Sequence, residues 1–297
     1  MSTPKDDFKS DLKADLTPGL YIVATPIGNL GDITLRALET LRAADVIACE
    51  DTRETGKLAS VYGISAPRMP YHDHNAAEMR PKIIERLRQG QRVALVSDAG
   101  MPLISDPGYK LVVACREENL PVTCVPGASA SLTGLVLSGL PADRFFFGGF
   151  LPPKSGARRK TLAELASVPG SLVFYETGPR LADSLADMAA VLGDRPAAVT
   201  RELTKKFEEV RTGSLAELAA HYEAAGEPRG EIVVIVGQGS AESVQWDTAR
   251  IDARIADVLH GQGLRVKEAA ALVAVESGWR KSDVYARALV VKDADTE

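Results

Sequence analysis

Residues 92–108 read RVALVSDAGMPLISDPG, and the chemistry they offer is ligand capture by a carboxylate set among small residues. Asp98 can accept hydrogen bonds from an ammonium group or from ribose hydroxyls. Its neighbours Ala99 and Gly100 let a ligand approach the backbone closely. For Ser97 alone, capping of a following helix is the simpler role. Asp, Gly and Pro crowded into one turn favour a ligand site.

Other residues with chemical potential are scattered along the chain. The segment ATPIGNLGD (24–32) is a glycine-containing turn, but it is not the GxGxxG dinucleotide fingerprint, and no GxxxxGK[ST] phosphate loop occurs. His72-Asp73-His74 presents two histidines at alternate positions, with no Cys or His elsewhere that pairs with them, so a substrate-facing loop is expected and no metal. In GFLPPKSGARRK (149–160) the cluster Lys154, Arg158, Arg159 and Lys160 suits RNA phosphates, contacts that position a nucleic acid without reading its sequence. A solvated basic helix face is the alternative.

These residues need elements to hold them. The apolar run 93–96 reads as a parallel strand buried on both faces, which puts Ser97 and its successors at the strand's carboxyl end, where open α/β sheets bind ligands. Strands are expected near 20–24, 45–49, 92–96, 121–125, 144–150, 171–175, 197–200 and 231–236. Helices are expected near 33–44, 76–89, 109–118, 129–138, 157–166, 179–191 and 215–223. That alternation predicts mostly parallel sheets with covering helices. Leu140-Pro141-Ala142-Asp143 is a plausible seam between two α/β halves, 18–140 and 141–240.

The character changes after Gly237-Gln238-Gly239-Ser240. Within an extension over 246–297, residues 248–290 carry helical periodicity without strand runs, broken at Gly261-Gln262-Gly263 and Ser277-Gly278. A small three-helix unit of helix-turn-helix type is expected, with a packing appendage as the near-equal alternative. Arg265, Lys267, Arg280, Lys281 and Arg287 at or near its helix starts could grip phosphates.

Composition limits the function classes. The 297 residues are 45% hydrophobic and 25% charged with a net charge of −5, so no global basic field marks a protein that coats nucleic acid. Cys49, Cys115 and Cys124 are odd in number and form no CxxC, which indicates neither a disulfide framework nor a zinc site. The charged start MSTPKDDFKSDLKADLTPG is not a signal peptide, and residues 1–17 are expected to be a solvated tail. No apolar run approaches the roughly 20 residues of a membrane span. A soluble cytoplasmic protein is expected.

Taken together, ATPIGNLGD, EDTR (50–53), HDHN (72–75), SDAGMPLISDPG (97–108), PGASA (126–130), GFLP (149–152), YETGPR (175–180), RELTKKFEE (201–209) and RGE (229–231) form an ordered series. Over residues 19–237 that series resembles the bacterial 16S ribosomal RNA (cytidine-2′-O)-methyltransferases, within the tetrapyrrole-methylase-like superfamily of S-adenosylmethionine (SAM) enzymes. The helical tail resembles the extension those enzymes carry.

The resemblance implies two α/β domains with SAM in the cleft between them, a homodimer, and a decoding-centre cytidine of the small ribosomal subunit as substrate. It places cofactor contacts at Pro26, Asp98, Ala99, Gly100, Ile104, Ser129, Ala130, Glu176, Arg201, Gly230 and Glu231. Transfer to a ribose hydroxyl also calls for a base, for which His74, Glu176, Glu202 and Lys205 are the candidates, the last only with a depressed pKa. Two alternatives stand beside this reading. One is a C-methyltransferase of tetrapyrrole (cobalamin precursor) biosynthesis, which would need neither the basic loop nor the helical tail. The other is a non-catalytic ribosome-assembly factor that uses SAM only structurally.

Overall fold

The computed structural model describes residues 16–239, 246–261 and 263–294. Residues 1–15 of the expected tail, residues 240–245, Gln262 and the last three residues lie outside them.

The first half is built on a five-stranded sheet. Its strands are β1 (Gly19–Val23), β2 (Val46–Cys49), β3 (Arg68–Pro70), β4 (Arg92–Val96) and β5 (Val122–Val125). Their order is β3-β2-β4-β1-β5 and every pairing is parallel. Helices α1 (Leu35–Ala43), α2 (Thr52–Tyr62), α3 (Ala76–Arg88), α4 (Tyr109–Glu117) and α5 (Ala130–Leu137) connect these strands and lead out of the sheet. Two clusters form the core. Val23, Ile47 and Val96 belong to one, and Leu20, Val93, Leu95 and Leu111 to the other. A strand covered on both faces has no polar side to present, which is why 93–96 reads as an unbroken apolar run.

The second half carries β6 (Phe145–Phe150), α6 (Ser155–Leu165), β7 (Ser171–Thr177), α7 (Leu181–Leu192), β8 (Pro196–Arg201), β9 (Glu209–Ser214), α8 (Leu215–Ala225) and β10 (Glu231–Val236). Its sheet runs β6-β7-β10-β8-β9. Here the expectation of mostly parallel sheets fails. Only β6–β7 is parallel, whereas β7–β10, β10–β8 and β8–β9 are antiparallel. The cause is local at β9, because the seven residues between β8 and β9 contain no crossover helix and can only return the chain antiparallel. It is global at β10. That strand is buried at five of its six positions, and burial on both faces looks the same for either direction.

Three further elements fall outside the expected set, one of them the three-residue strand β3, too short and too exposed to show a pattern. Helix α2 is capped by the Asp51 side chain on the Arg53 N–H and ends at Gly63, but it buries only Thr55 and Ala59, so its apolar stripe is faint. Strand β9 alternates half-buried and exposed residues and carries few apolar ones.

The helical unit comprises α9 (Thr248–Ala256), a π-type turn (Asp257–Gly261), α10 (Val266–Ser277) and α11 (Lys281–Ala294). Ile251, Ile255, Val258, Ala270, Val273, Val284 and Ala288 form its separate core. No helix of the described residues is long and apolar enough to cross a membrane.

Candidate functional site

Because β1 and β4 are neighbours in a parallel sheet, the loops leaving their carboxyl ends meet. Thr25 and Gly100 lock them together through an isolated bridge. The Thr25 N–H donates to the Gly100 carbonyl at 2.9 Å, and the Gly100 N–H donates back at 3.1 Å. Gly100 has a φ of 80°, and a Cβ there would stand 3.2 Å from Ile27 Cγ2. Only glycine holds this backbone without strain.

The matching end of the second sheet faces these loops. There the antiparallel course of β10 sets Glu231 opposite Thr177, the last residue of β7, and Ile232 opposite Arg201, the last residue of β8. Between the two halves lies a cavity of about 300 Å³. Asp98, Ala99, Gly100, Ile104, Ser129, Ala130, Glu176, Gly230 and Glu231 line it together with Ile27, Met101, Ser105, Asp106, Phe150, Tyr175, Leu203 and Val233. A second cavity of about 390 Å³ adjoins it and shares Ile27, Asp98, Ala99 and Glu231. Pro26, Gly28, Glu54, Lys57 and Lys205 belong to this second space.

Backbone strain is concentrated on the two loops at the site. Leu103, Ser105, Glu202 and Thr204 have positive φ, and among the described non-glycine residues only Asn119 shares that feature elsewhere. Such conformations cost on the order of 1–3 kcal/mol each and persist where the surroundings over-determine them.

The electrostatics of the first cavity are acidic. The Asp98 carboxylate accepts the Asp51 N–H at 3.0 Å, yet burial pushes its pKa up. Asp106 is pushed up to about 6, first by burial and then by the neighbouring Glu50 carboxylate. Burial, Asp98 and Asp73 raise Glu50 in turn.

The candidate bases are dispersed. Glu176 is 3% exposed, accepts the Ser184 hydroxyl at 2.5 Å and the Thr177 N–H at 2.8 Å, and pairs with Arg180 at 3.3 Å. It is a fully engaged anchor for the end of β7. Lys205 lies 3.0 Å from Glu202 and 3.3 Å from Glu231. Burial opposes its charge, but the two carboxylates outweigh that and raise its pKa. The condition for Lys205 as a base, a depressed pKa, is therefore not met, and it stays an ammonium. Glu202 lines neither cavity and is occupied with Lys205, while His74 is exposed and lines neither. Arg201 also lies outside both linings and pairs with Glu209 at 2.6 Å. Ser129 does not cap α5, since its hydroxyl meets that of Ser131 at 3.1 Å instead.

The basic cluster divides. Lys154, Arg159 and Lys160 are exposed around the start of α6. Arg158 is 3% exposed and bonds the Asp187 carboxylate at 2.7 Å. Arg158 is therefore removed from the RNA-facing set, because helical spacing turns it inward against α7. In the helical unit Arg265, Lys267 and Lys281 are exposed, Arg280 pairs with Asp283 at 2.9 Å, and Arg287 is bound to Asp252. Among the described residues no group of three or more His, Cys, Asp or Glu is placed to hold a metal ion.

Asp106 is the site residue that sequence reasoning missed. Its signal was present in the second Asp of SDAGMPLISDPG, held by Pro107 in a loop that must turn back. Tyr175, Phe150 and Leu203 fall inside the motifs YETGPR, GFLP and RELTKKFEE, but their residue types alone did not mark them as cavity-lining.

The family profile for tetrapyrrole (corrin/porphyrin) methylases matches residues 19–219, and the profile for the RsmI C-terminal HTH domain matches residues 247–292. Among curated proteins, the ribosomal RNA small subunit methyltransferase I of Mesorhizobium japonicum is 51% identical over 95% of this chain and 95% of its own. The protein of the same name from Escherichia coli O157:H7 is 46% identical over 95% of this chain and 99% of its own. Among solved structures, a uroporphyrin-III C-methyl transferase from Thermus thermophilus complexed with S-adenyl homocysteine superposes with a TM-score of 0.52 at 22% identity, over 74% of this chain and 97% of its own. A diphthine synthase does so with a TM-score of 0.57 at 17% identity, over 73% and 89%. At those identities the likeness is one of fold.

Proposed function

We infer the reaction from one premise: this chain belongs to the tetrapyrrole (corrin/porphyrin) methylase family, in the branch of the ribosomal RNA small subunit methyltransferases I. It is a SAM-dependent methyltransferase, and we propose that it 2′-O-methylates the ribose of a decoding-centre cytidine in 16S rRNA. The observation that carries this reading is the pair of joined cavities between the two sheets. One is apolar-walled and acidic, and the other opens beside Lys57 and Lys205.

The residues present fit the cofactor. The cradle at Gly100 leaves room that a Cβ would begin to fill, and the carboxylates of Asp98 and Asp106 suit a cationic ligand. Bound SAM supplies an activated methyl group on a sulfonium. Asp98, Gly100, Ile104, Ser129, Ala130, Gly230 and Glu231 would hold it in the first cavity. Most of the rate enhancement then comes from alignment, which the rigid Thr25–Gly100 bridge enforces. The second cavity takes the acceptor nucleotide. Lys205, kept cationic by Glu202 and Glu231, stabilises negative charge developing on the hydroxyl oxygen. Asp98 lines both cavities without a paired cation of its own among the described residues, and we infer that it takes up the hydroxyl proton.

The proposed organisation is a tail (1–17), α/β domains over 18–140 and 141–240, and a helical extension over 246–297, in a cytoplasmic homodimer. Support for the dimer comes from the second sheet. Strand β6 lies at its edge, with Phe145, Phe146 and Phe150 exposed, and Leu132 and Val136 are exposed on the preceding helix α5. An uncovered apolar edge invites pairing with another chain.

Labelled SAM incubated with isolated small subunits, followed by nucleoside mapping, tests the reaction. A 2′-O-methylated cytidine is expected. Label in a tetrapyrrole and none in RNA would replace this reading with the C-methyltransferase alternative, and bound SAM with no transfer would favour the assembly factor.

Two surfaces are open to separate tests. Replacing Lys154, Arg159 and Lys160 by Gln is expected to weaken subunit binding and flatten its salt dependence by a slope of roughly 2–3, because each phosphate left unneutralised keeps about one condensed counterion. SAM affinity should hold, and an unchanged salt slope would place the RNA elsewhere. Deleting residues 246–297 is expected to reduce methylation of subunits about tenfold or more while SAM affinity stays near that of the parent, as weaker binding of the RNA backbone predicts. Unchanged turnover across a range of salt would make the extension a packing appendage.

A further inference from the structure

No Lys, Arg or His lines the first cavity among the described residues, whereas Asp98, Asp106, Glu176 and Glu231 do. Glu176 is neutralised by its contact with Arg180, and Glu231 by Lys205. Asp98 keeps one backbone donor. The groups that act on Asp106 are acids and neutral donors, with His72 standing beyond them beside Glu50. Asp106 meets Glu50 beyond β2, Asp73 beyond β3, Asp98 and the Ser97 hydroxyl beyond β4, and the Tyr175 phenol on β7. Among the described residues no Lys, Arg or His lines the cavity beside it.

We propose that Asp106 is the residue that makes this cavity prefer SAM over its demethylated product, S-adenosylhomocysteine. The proposal rests on the cofactor reading above. The two ligands differ by one methyl group and one charge. SAM carries a sulfonium and an ammonium against one carboxylate, for a net charge of +1, while the product carries none. Shape alone discriminates a methyl group weakly, whereas a half-buried carboxylate without a cation responds to the full unit of charge. Transfer of the methyl group removes the cation that offset Asp106, so the product is held less tightly than the substrate it replaces.

The same arrangement fixes the pH dependence. Asp106 in the cavity is lifted to about 6 by burial and by Glu50. A bound cation favours its ionised form, so SAM affinity rises as pH increases toward about 6 and then levels, while affinity for the net-neutral product stays level. Because the folded-state value lies above the ordinary carboxylate value of 3.8, ionisation of Asp106 costs stability in the unliganded protein above pH 6 and nothing below pH 4.

Calorimetric titration of the full-length protein with SAM and with S-adenosylhomocysteine, between pH 5 and 8, tests this. Asp106→Asn is expected to weaken SAM binding about tenfold or more, the scale on which a charge within a few ångströms shifts an equilibrium. It should leave S-adenosylhomocysteine binding unchanged, abolish the pH dependence, and raise the melting temperature of the unliganded protein above pH 6. Glu50→Gln, which lines neither cavity, is expected to shift the midpoint of the SAM profile to lower pH. Equal weakening of both ligands in Asp106→Asn, or a preference and a midpoint that neither substitution alters, would overturn the assignment. A parent protein that binds neither ligand would instead overturn the cofactor reading itself.

Discussion

Gly100→Val is expected to abolish SAM binding while the chain stays folded. The backbone at this position has a φ of 80°, where a β-branched residue is a steric outlier, and its Cβ would begin 3.2 Å from Ile27 Cγ2 before the γ-methyls are added. Relief requires the 98–101 loop to move, and that movement breaks the reciprocal pair of bonds with Thr25 and carries Asp98 with it. A displacement of about 1 Å at a positioning element can cost on the order of a hundredfold. Strain of about 1–3 kcal/mol falls on the loop alone, since Gly100 lies beyond the end of β4 and its core residues, so circular dichroism should show native secondary structure with a modestly lowered melting temperature. Calorimetry that finds parental SAM affinity in the folded variant would take this loop out of the cofactor site.

A loss of stability of about 3–5 kcal/mol is expected from Asp187→Ala, the range seen when one partner of a buried ion pair is removed. Arg158 keeps only 4% of its side chain exposed, and its Nε and Nη2 both reach Asp187 Oδ2 at 2.7 Å, while Nη1 donates to the Pro153 carbonyl at 3.2 Å. Without Asp187 the guanidinium retains that one carbonyl and no counter-charge. The Ser155 hydroxyl, 3.0 Å from Asp187 Oδ1, loses its acceptor at the start of α6 as well. Urea denaturation at neutral pH measures the difference. The joint change Arg158→Met with Asp187→Leu should recover most of it, because apolar groups of similar volume replace such pairs at little net cost. A single-variant loss below about 1 kcal/mol would mean that the guanidinium escapes to solvent, and would return Arg158 to the exposed basic set.

The buried arginine illustrates how far sequence reading reaches. Four cations within seven residues look alike on paper. Lys154, Arg159 and Lys160 keep their side chains largely in solvent, Arg159 reaching Asp187 only at 3.5 Å, whereas Arg158 turns fully inward to that carboxylate 29 positions away. The loops that line the first cavity were readable for a different reason. Asp98, Ala99 and Gly100 follow directly on β4, so local chemistry already says where they stand, whereas Ser129 and Ala130 came from the family resemblance. The bases were not readable. Whether Glu176, Glu202 or Lys205 can accept a proton depends on partners such as Ser184, Arg180 and Glu231, none of them specified by the residues flanking each candidate. Asp106 escaped notice on the same ground, since Glu50 and Asp73, which help raise its pKa, come from two other strands' loops.

The amino-acid sequence by itself determined the alternation of strands and helices, the glycine that the 97–108 loop requires, the separate helical unit and the family motifs. Each of these is written in nearest-neighbour chemistry: apolar runs, turn residues and helical periodicity. Only the tertiary structure decided which way β10 runs. A strand buried on both faces carries the same residues in either direction, and its direction follows from which neighbours it pairs with. That choice places Gly230 and Glu231, at the start of β10, beside the ends of β7 and β8, and so closes the second wall of the cavity. Had β10 run parallel to them, the same two residues would lie at the opposite end of the sheet, and the first half's loops would face Glu176 but not Glu231.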